Sequence, residues 1–234
     1  MKACGAKRFL RGWVALLLFS FVLIPLSEAQ SAADEQTQKA WATLIAWGEG
    51  VTSAEGVFRQ IERRSDGRRR ELEGVFAFVK PLRFRWTIER PFVQVTVSDG
   101  TTLTVWDPEL RQATVQPLDP AALRSGPLAF FLAPETLPER FTLERFTQAG
   151  GVLRWSLRAR TDDAVVRRVE VTIADERLRA LTIEDALGQT SELLFTRFER
   201  TMPQPEAFQL TLPPDAVVLR TPQGAAAAAA ETPR

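Results

Sequence analysis

Arg83-Phe84-Arg85-Trp86-Thr87-Ile88-Glu89 alternates polar and apolar groups without a break. Successive side chains of a strand point to opposite faces, so Phe84, Trp86 and Ile88 share one side and the charged and hydroxyl groups take the other. This is the pattern of a half-buried antiparallel strand. Downstream, Val93, Val95 and Val97 repeat it, and Ser98-Asp99-Gly100 reads as the turn to Leu103 and Val105. Asp107-Pro108 closes that strand, and another follows at 111–116. Asp99 and Asp107 read as turn residues, because Asp-Gly and Asp-Pro both favour turns.

Working outward, the alternation stops between Asp119 and Glu139, where Pro120, Pro127, Pro134 and Pro138 punctuate short segments. One or two short helices fit there, with Pro127 at a first helical position and Leu128, Phe131 and Leu132 in an apolar run. Alternation then resumes in Leu153, Trp155 and Leu157, in Val169, Val171 and Ile173, in Leu181 and Ile183, and in Leu193 and Phe195. Phe208, Leu210 and Leu212 read as a last strand ending at Pro213-Pro214. The count is about eleven or twelve strands with no internal linker, which predicts one mainly β domain over residues 30–220. Before it, residues 34–47 carry Ala40, Trp41, Leu44 and Ile45 at helical spacing, and Gly48 and Gly50 end the stretch. Such a helix covers a sheet, either as plain packing or as a lid.

The ends read differently. Lys2, Lys7, Arg8 and Arg11 precede the apolar run 13–26, and Ser27-Glu28-Ala29 supplies small residues for cleavage, so residues 1–29 read as a secretory signal peptide. Cleavage after Ala29 leaves 205 of the 234 residues and a net charge of −2, the leader having carried +3 of the chain's +1. That balance gives nucleic acid no electrostatic footprint. Cys4, the single cysteine, lies in the leader, so the mature chain is expected to hold no disulfide and no lipid-modified cysteine. Residues 221–234, with six consecutive alanines, read as a low-complexity mobile tail.

Composition excludes more chemistry than it suggests. With no histidine, Ser-His-Asp and Cys-His catalysis and His-ligated zinc are ruled out. No Gly-rich phosphate loop, calcium loop or CxxC is present. A hydrolase built on two carboxylates survives as an alternative, but Glu184 with Asp185 and Asp162 with Asp163 are sequence neighbours that point to opposite faces of a strand. Arg63-Arg64 and Arg68-Arg69-Arg70 flank Ser65-Asp66-Gly67 and read as a solvated hairpin tip in preference to a dedicated binding patch.

An ordered set of short motifs runs through the chain: Gln60, Glu73-Gly74-Val75-Phe76, Lys80-Pro81, Phe84-Arg85-Trp86, Pro91, Ser98-Asp99-Gly100, Trp106-Asp107-Pro108 and Gln112. Asp185, Gly188-Gln189-Thr190, Phe208 and Leu212-Pro213-Pro214 continue it. Over residues 53–218 the chain resembles the LolA family of outer-membrane lipoprotein carriers. The resemblance implies an incomplete, strongly curved antiparallel β-barrel with an α-helical lid over an apolar cavity. It implies a monomeric, non-enzymatic periplasmic carrier without a cofactor, which takes lipoproteins from an inner-membrane ABC transporter and gives them to an outer-membrane receptor. Exposing an acyl chain to water costs about 0.8 kcal/mol per CH₂, which is why such cargo needs a carrier.

On the residues alone, Phe84, Trp86, Ile88, Leu128, Phe131 and Leu132 read as ordinary core. The resemblance makes Phe84, Trp86 and Ile88 cavity residues and Leu128, Phe131 and Leu132 lid residues. Family members commonly place arginine before the strand proline, where it bonds lid carbonyls in the closed form. Lys80 stands there instead, which implies a weaker latch or one with different partners, because lysine lacks the planar five-donor fork. A carrier of another acylated lipid or glycolipid stays open, since acyl chains look alike to a cavity.

Overall fold

The computed structural model describes residues 26–119, 130, 133–161 and 164–220, with side chains described from Asp34 onward. Helix α1 spans Leu26–Gly50. The strands that follow are β1 (Ser53–Arg63), β2 (Arg69–Val79), β3 (Arg83–Arg90), β4 (Gln94–Asp99), β5 (Thr102–Asp107) and β6 (Gln112–Pro117). After a 3-10 turn at Pro134–Thr136 and a short helix α2 (Leu137–Arg140) come β7 (Phe141–Ala149), β8 (Val152–Ala159), β9 (Val166–Ala174), β10 (Arg177–Asp185) and β11 (Thr190–Glu199), and finally β12 (Val217–Arg220). All twelve form one sheet in the order β12-β6-β5-β4-β3-β2-β1-β11-β10-β9-β8-β7. Two meanders, β1–β6 and β7–β11, are thus joined where β11 returns beside β1, and β12 is the one parallel addition. The sheet stays open, with β12 and β7 at its edges.

The registers sort the apolar groups by face. Phe58, Phe76, Phe78, Phe84, Trp86 and Ile88 share one side of β1–β3, because Phe78 stands opposite Phe84, Phe76 opposite Trp86, and Gly74 opposite both Ile88 and Phe58. Phe195 opposes Phe58 from β11, and the same face continues through Leu181, Val171 and Trp155. Residues as distant along the sheet as Phe84 on β3 and Trp155 on β8 join one core cluster with Ala40 and Leu44 of α1. The sheet therefore curls around the helix, which lies in its concave side.

Two glycines permit that curl. A Cβ on Gly56 would lie 1.9 Å from the Arg197 carbonyl oxygen, and one on Gly74 would lie 1.9 Å from that of Thr87. At these strand positions backbone approaches backbone, which no side chain allows. Gly74→Ala is expected to cost more than the ~1–3 kcal/mol of ordinary overpacking, since a main chain rather than a side chain must give way. A fall in the urea midpoint, measured beside the exposed control Gly67→Asn, checks this.

The convex side of β2–β6 is also covered. Phe208, in a 3-10 turn at Pro205–Phe208, packs on Ala77 and Val79, and Leu210, Leu212 and Ala216 pack against the cluster of Val95, Trp106 and Ala113. The apolar alternation at 208–212 predicts a strand, but these residues form a strap lying across the sheet. The alternation serves burial on the sheet's face instead of pairing at its edge. Strap carbonyls of Ala207 and Gln209 accept from the Arg85 guanidinium at 3.3 Å each. The chain then enters the sheet beyond Pro213-Pro214, at β12. Among the described residues α1 is already helical from Leu26, ahead of Asp34 where the apolar stripe begins.

Candidate functional site

The concave face is aromatic. Trp86 stacks on Phe58 with ring centroids 3.9 Å apart, and Phe76 lies 6.0 Å from Trp86 and 5.3 Å from Phe195 in an edge-on contact. Phe195 in turn meets Phe198 edge-on at 5.9 Å. Rings in these offset and edge-on arrangements supply large apolar area without a hydrogen-bonding pattern that would select one ligand shape. Three of the six sequence-predicted apolar site residues lie here. Phe84 is 5% exposed, Ile88 is 9% exposed, and Trp86 is half-buried against the same cluster. Leu128, Phe131 and Leu132 lie outside the described residues; Phe130, between them, is helical and buried.

Helix α1 occupies the concavity with a small residue and a few large ones. Ala40 and Leu44 are buried there, with Trp41 and Trp47 packed against the cluster. Two indoles tie the helix to the far wall: Trp155 Nε1 donates to the Ala40 carbonyl at 2.9 Å, and Trp47 Nε1 donates to the Glu176 carbonyl at 2.9 Å. Each tie is a single hydrogen bond, and the Ala40, Trp41 and Leu44 packing beside them is apolar and non-directional. Such a contact can be exchanged for hydrocarbon of another shape.

The C-terminal end of α1 carries the third tie. Lys80 Nζ donates to the Gly48 carbonyl at 2.6 Å, and the Lys80 backbone N–H donates to the Thr52 carbonyl at 2.8 Å. Burial pushes the Lys80 ammonium below its ordinary pKa, while the charges of Glu135 and Glu49 pull the other way. Glu49 belongs to α1 and Glu135 to the 3-10 turn, so one cation sits among strand, helix and turn. A Cβ at Gly48 would lie 2.7 Å from two carbons of Pro134, which shows how closely the turn seats on the helix end.

Other sequence candidates resolve into structural work. The Asp99 carboxylate accepts from the backbone N–H groups of Thr101 and Thr102, both at 2.8 Å, and Asp107 accepts from that of Leu110 at 3.0 Å. Asp185 closes its turn by accepting from the Leu187 and Gln189 N–H groups. Among the described residues no group of three or more acids could hold a metal ion.

Sequence reasoning missed Phe58, Phe195 and Phe198 as parts of this face. Phe195 and Phe198 are three residues apart yet face the same way, because Thr196 is an extra residue in β11 opposite the Val57–Phe58 step. A bulge breaks the period of two, and with it the signal.

The family model for the outer membrane lipoprotein carrier protein LolA matches residues 49–211, which contain β1–β11 and the start of the strap. The chain belongs to the LolA family. An outer-membrane lipoprotein carrier protein of Cupriavidus necator is 30% identical over 197 residues, covering 82% of this chain and 90% of that one. Its counterpart in Leptothrix cholodnii is 33% identical over 174 residues, covering 74% and 81%. Among solved structures, an uncharacterized conserved protein of Thermus thermophilus shares the fold alone, at 15% identity and a TM-score of 0.50 over 81% of this chain and 99% of that one. The matched segment thus holds the open sheet from β1 to β11 with its concave aromatic face, while α1 precedes it except for its last two residues. Among the described residues no helix is long and apolar enough to cross a membrane.

Proposed function

We propose that this LolA-family chain is a periplasmic, non-enzymatic carrier that shields the acyl chains of lipoproteins. In this reading it accepts them from an inner-membrane ABC transporter and releases them to an outer-membrane receptor, after export and removal of residues 1–29. The observation that carries the reading is α1 itself, a removable filling in an aromatic concavity, tied by the single bonds from Trp155, Trp47 and Lys80. Movement of α1 away from the sheet would expose Phe84, Trp86 and Ile88 as the floor for acyl chains. Leu128, Phe131 and Leu132, each within two residues of buried Phe130 in sequence, are assigned the apolar side of the lid.

Exchange suits the physics of the task. Empty, the concave face must be covered, because a patch this apolar would otherwise associate non-specifically. Loaded, acyl chains take the helix's place, and the two covers compete for one surface. Cargo is then held by the difference between two burials, which is small enough to permit release. Native mass spectrometry of protein purified from its own periplasm is expected to show a fraction carrying triacylated or diacylated peptide. Finding only a glycolipid or another free lipid would replace the cargo; finding no acylated species at any loading would sink the carrier reading.

A further inference from the structure

The hairpin tip joining β1 and β2 does not merely project into solvent. With the rim of β9–β11 it borders a wide-mouthed cavity of about 760 Å³, lined on one side by Arg63, Arg64, Arg68, Arg69 and Arg70. On the other side lie Val166 and Ile183. Ile183 belongs to the main concave core and Val166 packs against it, so the cavity floor continues the apolar face of the site. Val165, also in the lining, is 78% exposed, and the Ala186 N–H donates to its carbonyl, which brings the loop carrying Leu187, 72% exposed, next to it.

The charges do not cancel. Arg64 and Arg68 share Asp66, and Arg69 shares Glu71 with Arg59, while Arg70 pairs with Glu62 and Arg63 with Glu192. The lining itself sets five arginines against two carboxylates, Glu62 and Asp185; with the partners Arg59, Asp66, Glu71 and Glu192 counted in, six arginines face five carboxylates, and all six guanidinium groups keep substantial solvent exposure. Exposed pairs of this kind are weak and readily exchanged. The guanidinium fork matches the oxygens of a phosphate or carboxylate bidentately. A cluster of forks beside uncovered hydrocarbon is complementary to one kind of molecule, with an anionic head and an apolar tail.

From this juxtaposition we infer that the cavity at the β1–β2 tip binds the phosphate head of an anionic phospholipid, with Arg64 and Arg69 among its ligands and Val165, Val166 and Ile183 against the start of the acyl chain. The inference rests on the carrier reading only for where the chain runs beyond Ile183. The lipid can be a single molecule held in the concavity or part of a bilayer surface on which the rim docks. In both, the chemistry is an anionic phosphate next to hydrocarbon.

The experiment measures binding, by calorimetry below the micelle concentration, of short-chain lysophosphatidylglycerol, lysophosphatidylcholine of the same chain length, and glycerol phosphate. The variant is the double substitution Arg64→Gln with Arg69→Gln. It leaves Arg68 on Asp66 and Arg59 on Glu71, so neither carboxylate is orphaned. The native chain is expected to prefer the anionic lipid at least tenfold, with glycerol phosphate far weaker than either lipid, and the preference should shrink with added salt. The double variant should keep its affinity for the zwitterionic lipid and lose most of the preference. Equal affinity for the two lipids overturns the inference while leaving the acyl cavity intact; so does a preference that survives in the variant. Failure of both lipids to bind overturns it together with the carrier reading. Glycerol phosphate binding as tightly as the lipid reduces the site to a simple anion patch and also overturns it. Co-sedimentation with phosphatidylglycerol vesicles but not phosphatidylcholine vesicles, lost in the variant, supports it and assigns the bilayer as the source; lysolipid binding without co-sedimentation supports it and assigns the single lipid.

Discussion

Phe84→Glu is expected to fold and to bind a fluorescent acylated peptide at least about tenfold more weakly than the native chain, because the concave face would then present a carboxylate to hydrocarbon. An uncompensated polar group costs ~1–3 kcal/mol to bury even by the measure of protein mutants, and a charge costs more unless it protonates or draws in water. Each 1.4 kcal/mol is tenfold in affinity. Folding is expected to survive for a structural reason. The ladders on both sides of β3 are regular around Phe84, the register shift against β2 lying at the far end of the strand beside Glu89, and the strap covers the convex side of the same strands independently of α1. What yields is the apolar contact within the concavity, so the variant should keep its far-ultraviolet circular dichroism. Loss of that signal would make Phe84 a structural core residue and remove the cavity assignment. A folded variant with native affinity would place the cargo elsewhere.

How much of this was legible in the sequence depends on what sets each feature. The β3 alternation is local, and its face follows from the pleat alone, so Phe84, Trp86 and Ile88 were placed together correctly. The α1 stripe is local too, and Ala40 and Leu44 are buried as the helical spacing requires. The strap failed because alternation reports only that one side of a segment is covered. Residues 208–212 meet that condition by lying on Val79 and Trp106, with Arg85 serving their carbonyls, and no pairing partner is needed. β12 failed for the complementary reason. Val217, Val218 and Leu219 carry no alternation, and their place beside β6 is fixed by a tertiary contact that four residues cannot announce.

The site was half legible. The family motifs drew attention to Lys80-Pro81 but not to its acceptor. In sequence Gly48 signals a helix stop, and its carbonyl can accept from Lys80 only when α1 is docked against the end of β2. The arginines of the hairpin tip were visible as charge and invisible as a wall. Their counterpart across the cavity, Val166 and Ile183, comes from strands more than ninety residues away in sequence. Charge runs describe a surface, and whether that surface is concave is decided by topology.

Lys80→Leu should slow release of an acylated peptide by about tenfold or more, because it removes the tie that favours the empty, closed arrangement. A hydrogen bond from a charged donor is worth ~1.5–3 kcal/mol. Part of that is offset here, since burial already holds the ammonium below its ordinary pKa, and the Gly48 carbonyl keeps the Val51 N–H at 3.2 Å when Lys80 is gone. A second contribution acts in the same direction. Glu49 on α1 and Glu135 on the turn both act on the Lys80 charge, and leucine would leave two carboxylates without the cation between helix and turn. Their repulsion favours parting of the two elements, so the variant should stay open and loaded. The excess should fall as salt is added, because charges near the surface are screened. Lys80→Arg should release cargo at least as fast as the native chain, since a planar fork can serve Gly48 and a neighbouring carbonyl at once while keeping the cation. Dissociation rates of the same fluorescent peptide from the three proteins, at low and high salt, test the argument. Equal rates would reduce the 2.6 Å bond to a strand-end contact and move the latch to the Trp155 and Trp47 indoles.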